Sequence, residues 1–260
     1  MTSSFPYTPT TFRTTTIPRP WVPFRPHEGR VDVPFLPFKP RADNLLDMYK
    51  ISTHIIPAAN PRVTPDTPIP KLPPRSSKID EQDIKNMGLE LMEQQIHQGE
   101  GGHCAVANDK LLWNCINRYT RKGQQTDVRM KGMTLFLVQA AGFPKELWET
   151  TLCYLLSVCD IIDEIWSWES VQHGDSALLN RENLSGSFDW TDNARDIVNF
   201  LVNYIPEDVE TSALPIQLQR LPSSIGESRE KSGFSSRTLV AVGHSFGGCS
   251  VYVIRFSETF

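Results

Sequence analysis

Leu239-Val240-Ala241-Val242-Gly243-His244-Ser245-Phe246-Gly247-Gly248 is the stretch on which the reading of this chain turns. An apolar run with the composition of a buried strand leads straight into G-x-S-x-G, with glycines two before and two after a serine. The spacing has a steric cause. Where a strand turns sharply into a helix, the corner residue takes a strained backbone, and its neighbours at −2 and +2 must be small because strand and helix crowd each other. Ser245 is therefore expected to stand exposed at the carboxyl end of a strand. The bare pattern arises by chance roughly one time in ten in a chain of this size, so the strand before it supplies the weight. No Lys-Ser/Thr follows and no G-x-G-x-x-G spacing occurs, which disfavours a phosphate-cradling loop.

A second junction of the same kind lies upstream. Met133 to Val138 is a continuous apolar run of the sort a strand buried on both faces requires, and Gln139-Ala140-Ala141-Gly142-Phe143-Pro144-Lys145-Glu146 follows it. A serine used in acyl transfer needs backbone donors for the developing oxyanion. The small residues here point to the amide of Ala141, with Gly142 beside it, paired with the amide of Phe246. Spacing alone also allows a plain tight turn, the lesser reading. Lys145 and Glu146 open the next helix, as solvated helix-start residues or as substrate contacts in a pocket.

Composition divides the chain at about residue 43. Of 20 prolines, 16 precede residue 75, and residues 1–43 read as a Pro-rich arm. Pro34, Pro37 and Pro40 have PxxP spacing, but the Phe and Leu between them favour wrapping against the chain's own domain. Residues 44–260 read as one domain, with a Pro-rich loop and helix inserted at about 57–105 and a surface loop at about 206–236. Strand patterns are expected at 45–56, 111–119, 133–138, 161–171 and 238–242. Helical patterns fall at 79–96, 145–158 and 192–204, the first with Ile84, Met87 and Leu91 on one packing face. Trp166 and Trp168 share a strand face with Ile162 by alternation and read as core. This alternation predicts an α/β fold, a mostly parallel sheet with helices on both faces.

Thirty acidic against 26 basic residues, a net charge of −4 and a pI near 5.9 give no reason to expect nucleic acid or an anionic membrane as partner. No window holds the roughly 20 apolar residues of a spanning helix. Five cysteines without a CxxC pair argue for reduced thiols and a cytoplasmic location. The acid-free residues 1–27 carry a faint transit-peptide composition, so organelle import is the lesser alternative. His97, His103 and Cys104 lack further ligands at suitable spacing, so neither a metal nor a cofactor is expected.

Three stretches carry a resemblance: LFLVQAAGFPKELWE (135–149), IWSWESVQHGDSALLN (165–180) and VAVGHSFGG (240–248). They resemble the fungal α/β-hydrolase family of toxin-biosynthesis type, over residues 44 to 249. The resemblance implies an α/β-hydrolase fold, Ser245 as nucleophile, a small-molecule ester or acyl substrate, and His173, in Gln172-His173-Gly174-Asp175-Ser176, as part of the pocket wall. Gln139-Ala140 stands where the family has His-Gly or His-Ala. In that family an acid and then a histidine follow the serine, whereas only 15 residues follow Ser245, with Glu258 and no histidine. The expectation is a chain cut short after the elbow, lacking its C-terminal sheet strands. Its hydrolase activity is then impaired, its uncovered sheet edge is open to oligomer contacts, and the alternative is a non-catalytic binding module.

Overall fold

Six residues, Met133–Val138 (β3), explain how the sheet is covered. Side chains on a strand alternate between faces, and β3 is apolar in both registers. Leu135 and Leu137 point to one side, where they meet Leu152 and Leu156, while Phe136 and Val138 point to the other, where they meet Ile197, Phe200 and Leu201. The strand is buried on both faces, as its composition requires.

The computed structural model describes residues 21–25, 32–40, 49–69, 80–100, 110–123, 132–209 and 212–255. Besides β3, its strands are β1 (Tyr49–Pro57), β2 (Trp113–Arg121), β4 (Ile162–Trp168) and β5 (Thr238–Gly243). Its helices are α1 (Glu81–Glu100), α2 (Glu149–Val158), α3 (Gly174–Leu179), α4 (Trp190–Asn203), α5 (Ser223–Ser232) and α6 (Phe246–Arg255), with a 3-10 turn at Lys145–Trp148. The sheet runs β1-β2-β4-β3-β5. Only β2 is antiparallel to its neighbours, so the other four strands share one direction. The α/β class and the mostly parallel sheet hold. None of the described helices is long and apolar enough to cross a membrane.

One face of the sheet is aromatic. Phe200 of α4 packs edge-on to Trp166 with centroids 5.1 Å apart, and against Trp168 and Phe136 at 5.8 Å each. Trp166 and Trp168 are fully buried core, as expected. Ile162 is not on their face. The register with β3 steps from Ile162 to Glu164 against a single step from Met133 to Thr134, and this bulge turns Ile162 toward Leu152 and Leu156 on the opposite side.

Three other expectations change. Helix α1 forms, and of the face that spacing predicted to pack, Ile84 stands exposed and Met87 is half-buried. The stretch 206–236 is not wholly loop, because α5 forms within it without an apolar stripe. It is held by Arg229, whose guanidinium donates to the carbonyls of Leu201 and Ile205 at 2.9 Å each, at the carboxyl end of α4. A short helix, α3, also follows β4. The segment 1–20, His103 and Cys104 lie outside the described residues. Among the described residues no three metal-ligating side chains come together.

Helix α4 is buried all round, which is unusual for a helix holding Asp192, Arg195 and Asp196. Its charged side closes on the loop after β1. Arg62 pairs with Asp192 and Asp196, Arg195 donates to Asp192 at 2.6 Å, and the amide of Ala59 donates to Asp196 at 2.8 Å. Replacing Phe200 with alanine removes the aromatic centre of the other side and is expected to cost about 3–5 kcal/mol, read as a lowered urea midpoint with an unchanged m-value.

Candidate active site

The turn from β5 into α6 is shaped by missing atoms. A Cβ on Gly243 would lie 2.5 Å from the Gly248 nitrogen, and one on Gly247 would lie 2.3 Å from the Val138 carbonyl oxygen and 2.7 Å from that of Gln139. Either contact is closer than real Cβ atoms come, so both positions demand glycine. Between them Ser245 has φ 51°, the one positive φ on a non-glycine residue in the described chain. A left-handed backbone on serine costs about 1–2 kcal/mol. Here it turns the chain through the corner and leaves Ser245 exposed.

The two junctions noted in the sequence are brought together. Strands β3 and β5 are parallel neighbours, with Val138 opposite Gly243, and the His244 amide donates to the Val138 carbonyl at 3.0 Å. After β3 the chain makes a turn in which the Phe143 amide bonds the Ala140 carbonyl at 3.3 Å, with Gly142 at φ 82°. This has the form of a type II turn, whose third position requires φ > 0. Among the described residues the amides of Ala141 and Gly142 have no hydrogen-bond acceptor, and both residues are exposed. Phe246 opens α6, so no intrahelical carbonyl lies before it to accept its amide.

Phe246 is 3% exposed beneath the corner. Its ring is ringed by Trp190 at 5.1 Å and by Phe188 and His173 at 6.1 Å, centroid to centroid. His173 Nδ1 bonds the Ser170 hydroxyl, and burial lowers its pKa, which favours the neutral ring. Phe188 also lines a small recess with Arg62, Gln172 and Ser185. The His244 ring turns toward Phe143 and Trp148, 6.4 Å from each. Among the described residues no side chain hydrogen-bonds the Ser245 hydroxyl. Helix α6 is fixed from below, because Asn193 accepts from Trp168 Nε1 at 3.0 Å and donates to Ser250 at 2.8 Å.

Lys145 and Glu146 sit differently from a solvated helix start. Lys145 is 1% exposed and its ammonium lies among carboxylates, with Glu169 at 2.9 Å and Asp175 at 2.6 Å. Burial pushes Glu169 up to about 7; Lys145 pulls the other way, and Glu146 and Asp175 add to the rise. Burial alone would lower the Lys145 pKa, but the negative charge of Glu169 and Glu146 and the hydrogen bond to Asp175 raise it overall. One ammonium serves three acids, of which Glu169 is the most buried. Sequence spacing gave no sign of Glu169, Asp175, Phe188, Trp190 or Asn193, since each reaches the site only through the fold.

No protein-family model matches the chain. Among curated proteins, the peroxisomal membrane protein LPX1 of Saccharomyces cerevisiae is 34% identical over 70 residues, which are 25% of this chain and 18% of that protein. Among solved structures, the peroxisomal alpha-beta-hydrolase Lpx1 from Saccharomyces cerevisiae aligns with 19% identity and a TM-score of 0.45, over 80% of this chain and 41% of that one. In both comparisons this chain spans less than half of the other protein.

Two outcomes test the geometry. Gly247→Ala is expected to destabilise by more than about 2 kcal/mol, because backbone of β3 or α6 must move, measured by thermal melting. Folded Glu169 holds its proton above its ordinary 4.5, so its contribution is complete below pH 4.5 and is lost as pH rises toward about 7. The melting temperature of Glu169→Gln should therefore fall less than that of the wild type between those two pH values.

Proposed function

We propose that the chain is an α/β-hydrolase-type serine hydrolase of ester or acyl substrates, with Ser245 as nucleophile and the amides of Ala141, Gly142 and Phe246 as oxyanion donors, and that its activity is impaired because no described side chain hydrogen-bonds the Ser245 hydroxyl to take its proton. The observation that carries this reading is the Ser245 backbone, held at φ 51° between two glycines that tolerate no Cβ. Strain of this kind persists only where surrounding structure enforces it, and it clusters at functional sites. Strand order supports the reading too, since β3 and β5 lie side by side and deliver both junctions to one end of the sheet.

The chemistry follows from the placement. The Ser245 oxygen attacks the acyl carbon as its proton passes to solvent, since no described side chain accepts it, and the carbonyl oxygen takes up negative charge to which amides without protein acceptors donate. Collapse then breaks the bond to the alcohol, which leaves with a proton from solvent, and water hydrolyses acyl-Ser245. His173 forms part of the wall against Phe246. Phe143 and Trp190, 45% and 54% exposed, offer apolar surface beside the corner and favour an apolar acyl group. Lys145 and Glu146 act from beneath the loop rather than on the substrate.

The yeast protein met in both comparisons is named as peroxisomal, whereas composition favours the cytoplasm for this chain. Imaging of a tagged chain decides, and a punctate signal overturns the cytoplasmic expectation. For activity, incubation with a fluorophosphonate probe is expected to label the chain at Ser245 and to leave Ser245→Ala unlabelled. A serine reacts in this way only when something takes its proton. A folded wild-type chain that stays unlabelled would replace the hydrolase with a non-catalytic binding module.

A further inference from the structure

Lys145 joins the loops on which the proposed reaction depends. Its Nζ lies 2.9 Å from Glu169 Oε1, 2.6 Å from Asp175 Oδ2 and 3.2 Å from Glu146 Oε1. Three segments meet at this ammonium. Lys145 and Glu146 open the 3-10 turn after the oxyanion loop, Glu169 follows the last residue of β4, and Asp175 sits in the first turn of α3. Glu169 uses both of its oxygens, since Oε2 accepts the Asp175 amide at 2.9 Å. The residue between them makes room for it. A Cβ on Gly174 would lie 1.9 Å from Glu169 Oε2, and the φ of 45° at that glycine brings the helix start onto the carboxylate.

The contact continues in both directions. His173, the residue before Gly174, lies against Phe246, whose amide is one of the proposed donors. On the other side the backbone of Lys145 is held as well, because the Ser167 hydroxyl of β4 donates to its carbonyl at 2.7 Å. Asn117 of β2 donates to Glu146 Oε1 at 2.8 Å and ties the same turn to a third strand. A surface lysine would hold nothing in place. This one is removed from water, so it persists only in the geometry that satisfies it.

We propose that Lys145 is a positioning residue. Its ion pair with Glu169 sets the distance between the Ala141 and Gly142 amides on the β3 loop and the Phe246 amide on α6, and so builds the oxyanion site at Ser245. This rests on the serine-hydrolase reading. Donors must lie within about 2.7–3.1 Å of the oxyanion, and a misplacement of about 1 Å can cost on the order of 100-fold in rate. Lys145 touches no reacting atom, and its effect passes through the loop that it anchors.

Lys145→Met alone leaves the Glu169 carboxylate buried without its cation and is prone to unfold. The paired change Lys145→Met with Glu169→Gln keeps the shapes and removes both charges. On the full chain, the rate of fluorophosphonate labelling at Ser245 and the kcat and KM for p-nitrophenyl acetate are measured beside thermal melting. The folded double variant is expected to label about 10–100-fold more slowly and to lose kcat by the same factor with KM within about twofold, the pattern of an interaction made only in the transition state. A folded double variant that labels at the wild-type rate overturns the role of Lys145 and leaves the hydrolase reading standing. A raised KM with unchanged kcat also overturns it, by assigning Lys145 to substrate binding. Wild-type chain that labels no more than Ser245→Ala overturns both readings.

Discussion

A helix start and two strand ends occupy almost the same space in this fold, and the lack of a Cβ at Gly243 and Gly247 is what allows it. With Gly247 against the carbonyls of Val138 and Gln139, β5 hands over to α6 at the very end of β3. That contact sets where Ser245 stands and which amides share its surroundings. It also explains why the serine accepts a left-handed backbone. Helix α6 is held by Ser250 through Asn193 to Trp168 in the centre of the sheet, so the corner has no easier conformation into which to relax.

Charge is buried in this molecule wherever loops must be joined to the sheet. Glu164 on β4 receives Arg118 from β2 and Arg237 from the segment just before β5, and Arg237 goes on to the Asp208 carbonyl at 2.9 Å. Arg62 ties the loop after β1 to α4, and Lys145 ties the loop after β3 to the one after β4. Ion pairs removed from water contribute little net stability over apolar residues of the same size, yet breaking one by deleting a partner is costly. Their use here is geometric. Apolar packing on both faces supplies the stability, and the buried pairs decide which loop lies where.

Local signals in the chain were sufficient for what local physics controls. The apolar run Met133–Val138 forms a strand with the expected bounds, and the glycine spacing around Ser245 marks its corner correctly. Signals failed where the cause is tertiary. Helix α5 has no apolar periodicity because it is fastened by one arginine to another helix, and Ile162 changes face through a bulge that alternation cannot foresee. At the site, Lys145 read more readily as a solvated helix start, since its partners Glu169 and Asp175 are 24 and 30 residues away. Phe188 and Trp190 lie in a stretch with no pattern of its own, and only folding brings them to Phe246.

The Pro-rich arm is more than an appendage in this arrangement. The Arg195 guanidinium, buried in α4, donates from Nε to the Val22 carbonyl at 2.8 Å, while the Arg25 amide donates to the Asn60 carbonyl at 2.7 Å. Composition invites a domain boundary near residue 43, and an expression fragment trimmed there would take the Val22 and Pro23 carbonyls away from Arg195, a residue that cannot lose its charge. Residues 21–25 thus serve as backbone acceptors and donor for α4 and for the loop after β1.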